Sequence, residues 1–184
     1  MLKLIKTGFV ISCVLLITGC ATTNSIPYKA STSNVITIQN TLKSNNSKVT
    51  LGDFTIANGV DQELNCRLLG PVKVSPGKTL SAYIKDAFQE ELFLAQSYDT
   101  AASVKINGVI EKISFSSVSP ANWEVVMRIS SNKAVGYTVA VKYDYDTSFD
   151  AFSACRNVAD AFAPAVQELL KKVVTHPQFA QLSK

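Results

Sequence analysis

The sequence predicts an α+β fold, a two-layer sandwich with a mainly antiparallel sheet of about five strands and two helices on one face. Three observations support this class. Apolar and polar residues alternate in several segments after residue 48, which is the period of a half-buried strand. Two longer segments carry apolar residues at helical spacing. The strands come in runs instead of alternating singly with helices, which favours α+β over α/β organisation.

Strand-type patterns mark five segments, most of them bounded by turn residues. The first contains Gly52, where we expect a bulge, and is followed by the turn signal Asn58-Gly59. The second is interrupted by Gly70-Pro71. The five segments cover residues 49–56, 64–74, 104–115, 123–129 and 137–145.

Two segments are predicted to be amphipathic helices. The first runs from Thr79 to about Ala95. The second begins near Ser148 or Asp150, both competent N-caps, and continues past residue 170. Pro164 lacks a backbone N–H, so it predicts either a kink or two abutting helices. The apolar stripe of this second helix comprises Phe152, Cys155, Val158, Ala159, Phe162, Val166, Leu169, Leu170 and Val173. His176-Pro177 should end it before a short tail.

Residues 1–19 have the organisation of a secretory signal peptide. Lys3 and Lys6 precede an apolar run from Phe9 to Ile17 that only Ser12 interrupts. A helix of about ten residues rises about 15 Å, half the roughly 30 Å hydrocarbon layer of a bilayer. This run is therefore too short to be a spanning anchor.

The end of the leader, Ile17-Thr18-Gly19-Cys20, resembles the lipobox of bacterial lipoproteins. That resemblance implies cleavage before Cys20, a diacylglyceryl thioether on its sulfur and an acyl chain such as palmitate on its amine. Two acyl chains anchor a protein stably to a membrane. An ordinary leader followed by a chance cysteine, or a buried apolar helix, is the other interpretation. Ala21 is not the aspartate that retains enterobacterial relatives on the inner membrane. We therefore expect the outer membrane, periplasmic face.

Residues 20–47 are predicted to be a lipidated N-terminus and polar tether. They are rich in Ser, Thr and Asn, which offer little apolar surface to offset the entropy of ordering. Alternation at Val35-Ile36-Thr37-Ile38 adds a possible edge strand. Residues 48–184 then form a single α+β domain.

The composition narrows the class of partner. Loss of Lys3 and Lys6 with the leader lowers the formal charge from +4 to +2. No basic stripe with interleaved aromatic residues is present, so nucleic acid is not an expected partner. An envelope protein or peptidoglycan, together with the membrane itself, is expected instead.

Cys66 and Cys155 are the two cysteines left after cleavage and acylation. Thiols in an exported domain usually pair, so a disulfide is predicted. Two buried free thiols are the alternative. No metal site and no cofactor are expected, since the single histidine, His176, is far from both cysteines in sequence.

Candidate chemistry is sparse. His176 lies in a helix-ending His-Pro pair and is expected to have a surface or capping role. Asp144, Asp146 and Asp150 could hold calcium, yet a solvated strand end and a helix N-terminus explain them equally well. No nucleophile with a neighbouring base is recognisable, so an enzyme is not expected.

Four aromatic residues are the remaining candidates for binding: Trp123, Tyr137, Tyr143 and Tyr145. Their period-two placement first predicts packing within the sheet. The alternative is an exposed strip for glycan or peptide contact. The small, polar loop 114–122 could supply a binding edge beside it.

The order of elements resembles that of the YajG-like small outer-membrane lipoproteins. The final helix carries the most specific likeness, from Asn157-Val158-Ala159-Asp160-Ala161 to Thr175-His176-Pro177-Gln178-Phe179. The resemblance implies no catalytic residues. The predicted function is a non-enzymatic accessory or binding module of the cell envelope; the alternative is a carrier of a lipid or other apolar ligand between the helices and the sheet.

Overall fold

Four strands form one mixed sheet in the order β1-β2-β3-β4 in this computed structural model, which describes residues 26–43 and 47–184. The chain order is α1 (Thr32–Lys43), β1 (Val49–Ile56), α2 (Leu80–Leu94), β2 (Val104–Ser116), β3 (Asn122–Ser131), β4 (Tyr137–Asp144), α3 (Ala151–Val174) and a terminal 3₁₀ helix, η1 (Phe179–Ser183). The predicted α+β sandwich is confirmed. The sheet has four described strands where about five were predicted.

The sheet is mostly antiparallel, as predicted. β1 pairs with β2 in parallel, while β2–β3 and β3–β4 are antiparallel. The β1–β2 register shifts between Leu51 and Phe54, which confirms the bulge expected at Gly52. A Cβ at Gly52 would lie 2.1 Å from Asn107 Oδ1, and that oxygen accepts a hydrogen bond from the Asp53 N–H. A side chain at position 52 would have to displace the side chains of Asn107 and Lys105, and glycine leaves room for both.

The core lies between one face of the sheet and the helices. Thr79 caps α2, its hydroxyl accepting from the Ala82 N–H. Trp123 is completely buried against Phe162 of α3, with ring centroids 4.8 Å apart. Burying aromatic side chains of this size supplies a large share of the hydrophobic stabilisation of a domain.

The predicted strand over residues 64–74 is wrong. Only an isolated bridge between Asn65 and Pro71 forms there. Arg67 and Gly70 have φ of 51° and 87°, in the left-handed region that a strand does not use. The apolar residues of this segment instead fold back in a loop that contains Cys66.

The predicted tether is wrong over Thr32–Lys43, which form α1. The predicted edge strand at 35–38 lies inside this helix. Asn34, Ile38 and Leu42 are spaced four residues apart and are completely or almost completely buried. α1 packs against both α2 and α3, so the folded domain begins well before residue 48.

The C-terminal helix matches its prediction with one difference. α3 is capped by Asp150 and continues through Pro164 as a single helix, so two abutting helices are wrong. After His176-Pro177 the chain forms η1 instead of a simple tail, and Phe179 and Leu182 are 1% exposed.

Candidate functional site

The predicted disulfide between Cys66 and Cys155 is present, with the two Cα atoms 5.8 Å apart. Both residues are buried. The bond joins the loop between β1 and α2 to the first turns of α3. It therefore fixes that loop at one end of the domain.

Arg67 connects three loops at the same end. Its Nη2 donates hydrogen bonds to the backbone oxygens of Ser117 and Ser148, at 2.9 and 3.0 Å. Its Nη1 donates to the Phe149 oxygen at 2.9 Å. We call the region formed by loops 57–79, 117–121 and 145–150 the loop end. Charge-assisted hydrogen bonds to three carbonyls hold its loops together.

An open groove of about 870 Å³ lies at the loop end. It combines apolar side chains with carboxylates and hydroxyls. The loop predicted as a possible binding edge contributes to it through residues 118–121. Its lining residues are Arg67, Val118, Ser119, Pro120, Ala121, Asp144, Tyr145, Asp146, Thr147, Ser148 and Phe149.

The three aspartates considered as calcium ligands have different roles. Asp144 and Asp146 line the groove, whereas Asp150 accepts the Ser153 N–H at 2.8 Å as the N-cap of α3. This backbone hydrogen bond, with those from Ser148 and Ser153 side chains, lowers the pKa of Asp150 to about 2. No group of three His, Cys, Asp or Glu side chains in the described part of the chain is placed to hold a metal ion.

The aromatic residues of β3 and β4 do not form an exposed strip. Trp123 is fully buried and its Nε1 donates to the Val158 oxygen at 2.8 Å, while Tyr137 is 7% exposed. The packing interpretation is confirmed for these two, and the binding interpretation is wrong for them. Tyr143 and Tyr145 are half-buried, and only Tyr145 lines the groove.

His176 packs at the opposite end of the domain. Its ring stacks on Tyr137 with centroids 3.9 Å apart, and its Nδ1 accepts the Gln178 N–H at 3.2 Å. The Tyr137 hydroxyl donates to the Val173 oxygen at 2.7 Å. This arrangement fits the capping role expected for His176.

A buried carboxylate attaches the N-terminal segment to the domain. Glu91 of α2 is completely buried, and its Oε1 accepts the Tyr28 hydroxyl at 2.6 Å. The same oxygen accepts the Ser31 N–H and the Asn34 amide, both at 3.1 Å. We call these four residues the Glu91 cluster. Burial raises the pKa of Glu91 although the three hydrogen bonds oppose it, and Oε2 receives none from the described residues.

Glu91 is a charged residue on the buried side of α2. Ile84, Ala87, Glu91 and Ala95 follow one another by three or four positions, so Glu91 lies within the apolar stripe. A charged residue within an apolar stripe indicates that buried hydrogen-bond partners surround it. The position of Glu91 in the stripe can be recognised from the sequence.

None of the helices in the described part of the chain covers the second face of the sheet. Side chains pointing to this side include Arg128, Thr138, Ala140 and Lys142, all exposed, and the half-buried Val126. The half-buried strands that the alternation predicts are confirmed for β3 and β4.

Cys20 and the leader lie outside the described residues. Within 26–43 and 47–184, no helix has the length and apolar character needed to span a bilayer.

The chain matches no known family model and no curated protein. A crystal structure of a DUF330 family protein from Xanthomonas campestris is similar, with a TM-score of 0.47, 12% identity, and coverage of 70% of this chain and 84% of that one. A likeness at that level assigns no function.

Proposed function

We propose that the chain is a lipoprotein anchored to the outer membrane on its periplasmic face, acting there as a non-enzymatic accessory or binding module. One observation carries this proposal. The sequence Ile17-Thr18-Gly19-Cys20 ends a secretory leader and precedes a domain that contains a disulfide bond. A disulfide suits the oxidising environment outside the cytoplasm. Acylation of Cys20 would keep the domain on its membrane.

The Glu91 cluster supports a close attachment. Because Tyr28, Ser31 and Asn34 are tied to α2, the segment between the acylated cysteine and the domain is short. Six residue steps separate Cys20 from Ile26, which span at most about 20 Å when fully extended. The domain would therefore work near the membrane surface.

The open sheet face is the surface best suited to a partner in the envelope. It carries charges of both signs, including Glu111, Arg128 and Lys142, around the less polar Val126 and Ala140. An envelope protein is the proposed partner and peptidoglycan the second possibility. The interlayer is filled by Trp123, Met127, Phe162 and their neighbours, and no observation favours a carried apolar ligand.

Site-specific photocrosslinking in cells tests this proposal. A benzophenone side chain at Ala140, on the open sheet face, is compared with one at Phe93, exposed on α2. We expect a discrete protein adduct from Ala140 and none from Phe93. An adduct that collapses after muramidase digestion would identify peptidoglycan instead. Recovery of only lipid and abundant porins from both positions would contradict the binding role.

Anchoring is tested separately with Cys20→Ser. We expect this variant to lose the membrane-bound mature form, because the sulfur that would carry the diacylglyceryl group is gone. Cys13→Ser is the matched control, since that cysteine lies inside the leader. Equal membrane recovery of both variants would contradict lipid anchoring.

A further inference from the structure

Exposed apolar side chains are concentrated at the loop end. Leu68 and Phe149 are fully exposed, and Val118 and Phe152 are 67% and 57% exposed. All lie within four residues of a group bonded to Arg67 or of the disulfide. Val118 and Phe149 line the same groove as Arg67, which Leu68 and Leu69 follow in the chain. We call these exposed residues of the loop end the apolar rim: Leu68, Leu69, Val118, Phe149 and Phe152. Contiguous exposed apolar surface marks a site of interaction.

The N-terminal segment leaves the domain toward this same end. Tyr28 is bonded to Glu91, whereas Ile26, two residues earlier, offers its backbone oxygen to the Tyr83 hydroxyl at 3.4 Å. Tyr83 precedes Glu91 by eight residues on α2, about 12 Å of helix rise. The chain, followed back toward its N-terminus, thus runs toward the first turn of α2.

The first turn of α2 lies at the loop end. Tyr83 contacts Phe162, with ring centroids 5.3 Å apart, and Phe162 contacts Trp123, the second residue of β3. Pro27 and Tyr28 also share a small cavity with Val74, Ser75 and Pro76 of loop 57–79. Ile26, itself 58% exposed, is therefore on the loop-end side of the domain.

We infer that the apolar rim inserts into the headgroup region of the leaflet that holds the acyl chains of Cys20. This inference rests on the proposed lipid anchor. The six residue steps from Cys20 to Ile26 reach at most about 20 Å, so the bilayer surface meets the domain from the loop-end side. Leu and Phe side chains at loop tips then contact the boundary between headgroups and acyl chains, as those of interfacial segments do.

Charge at the loop end specifies the kind of lipid. Asp144 and Asp146 line the groove beside the rim, and Asp150 caps α3 next to it. Arg67 keeps its positive charge while it donates to the backbone oxygens of Ser117, Ser148 and Phe149 and to the Ser117 hydroxyl. Arg67, Lys73 and Lys78 nearly balance the acidic residues Asp61, Glu63, Asp146 and Asp150 of the same loops. No net positive charge favours an anionic surface, so a zwitterionic leaflet such as phosphatidylethanolamine is the expected partner.

Nitroxide labelling of the acylated mature protein in vesicles of phosphatidylethanolamine and phosphatidylcholine tests the inference. Phe149→Cys and Val118→Cys are labelled on the apolar rim, and Val135→Cys, 82% exposed beside the β3–β4 turn, is the matched control. We expect the ratio of oxygen to water-soluble nickel-chelate collisions to be several-fold higher at 149 and 118 than at 135. Water-like ratios at all three positions would overturn the inference.

A protein partner on the apolar rim would give a different collision result from lipid. Exclusion of both collision reagents at 149 and 118 would mean that a protein partner or a second copy covers this end, and lipid insertion would be wrong. Vesicle flotation separates the two proposals. Protein that floats with water-exposed labels contradicts only the insertion, whereas protein that does not float contradicts the lipid anchor and the insertion with it.

Discussion

The loop end exposes more large apolar side chains than the end formed by the β3–β4 turn, where Val135 is also 82% exposed. At the end formed by the β3–β4 turn, the C-terminus of α3 and η1, Phe179 and Leu182 are 1% exposed. At the loop end, Leu68 and Phe149 are fully exposed although a disulfide and Arg67 hold their loops together. The five-residue η1 buries Phe179 and Leu182 at one end. The exposed side chains of the loop end are those that the proposed membrane contact would cover.

Removing the disulfide is expected to have the largest effect on this comparison. The double variant Cys66→Ala, Cys155→Ala removes a cross-link between residues 89 positions apart in sequence. The loop-entropy model predicts that this lowers the free energy of unfolding by about 4–5 kcal/mol. Urea denaturation measures it. Protease cleavage should also increase in loop 57–79 and not at η1. An unchanged midpoint after reduction would show that the bond contributes no stability.

Truncating one phenylalanine at each end compares them directly. Phe179→Ala should lower the free energy of unfolding by about 3–5 kcal/mol, because it leaves a cavity in packed surroundings. Phe149→Ala should change it by less than about 0.5 kcal/mol, because that side chain packs against little. Thermal or urea unfolding of both variants tests the pair. Equal losses would contradict the contrast between the ends.

Tyr28→Phe tests how firmly the N-terminal segment is attached. The variant removes the hydroxyl that donates to the buried Glu91 carboxylate, so we expect a loss of about 1.5–3 kcal/mol. Hydrogen exchange should become faster over Thr32–Lys43 in particular. Tyr143→Phe, on the half-buried end of β4, is the control and should leave α1 unchanged. Exchange that stays slow in Tyr28→Phe would mean that apolar packing alone holds α1.

The pH dependence of stability gives the smallest expected effect. Burial raises the pKa of Glu91 in the folded state above its value in the unfolded chain, so the folded state binds more protons between those two pKa values. Stability should therefore fall as pH rises from about 4.5 upward, with a slope of at most about 1.4 kcal/mol per pH unit from this group. Glu91→Gln should remove that part of the slope. Identical slopes in both proteins would contradict the assignment.

Most of the fold could be predicted from the sequence because the apolar residues of most elements follow either the helical or the strand period. Leu80, Ile84 and Phe88 for α2, and Trp123, Val125 and Met127 for β3, admit one interpretation each. Val35–Ile38 fits both a short strand and a helix, and local pattern could not choose between them. Tertiary packing decides it, since α1 is stabilised by burial of Ile38 and Leu42 against α2 and α3.

The candidate site was less predictable than the fold. The disulfide followed from the compartment and the cysteine count, but the loop end depends on long-range contacts. Arg67 reaches Ser117 and Phe149, which are 50 and 82 positions away. The residues around Leu68 and Leu69 were assigned to a strand because apolar residues are expected to be buried. Their exposure could be recognised only in the folded chain.

Mass spectrometry of the N-terminal peptide from membrane-extracted protein tests the central claim most directly. The account predicts a chain that begins at Cys20 and carries a diacylglyceryl group on sulfur with an acyl chain on the amine. An unmodified Cys20, or a peptide that still includes Ile17-Thr18-Gly19, would contradict both the lipid anchor and the orientation of the loop end toward the leaflet.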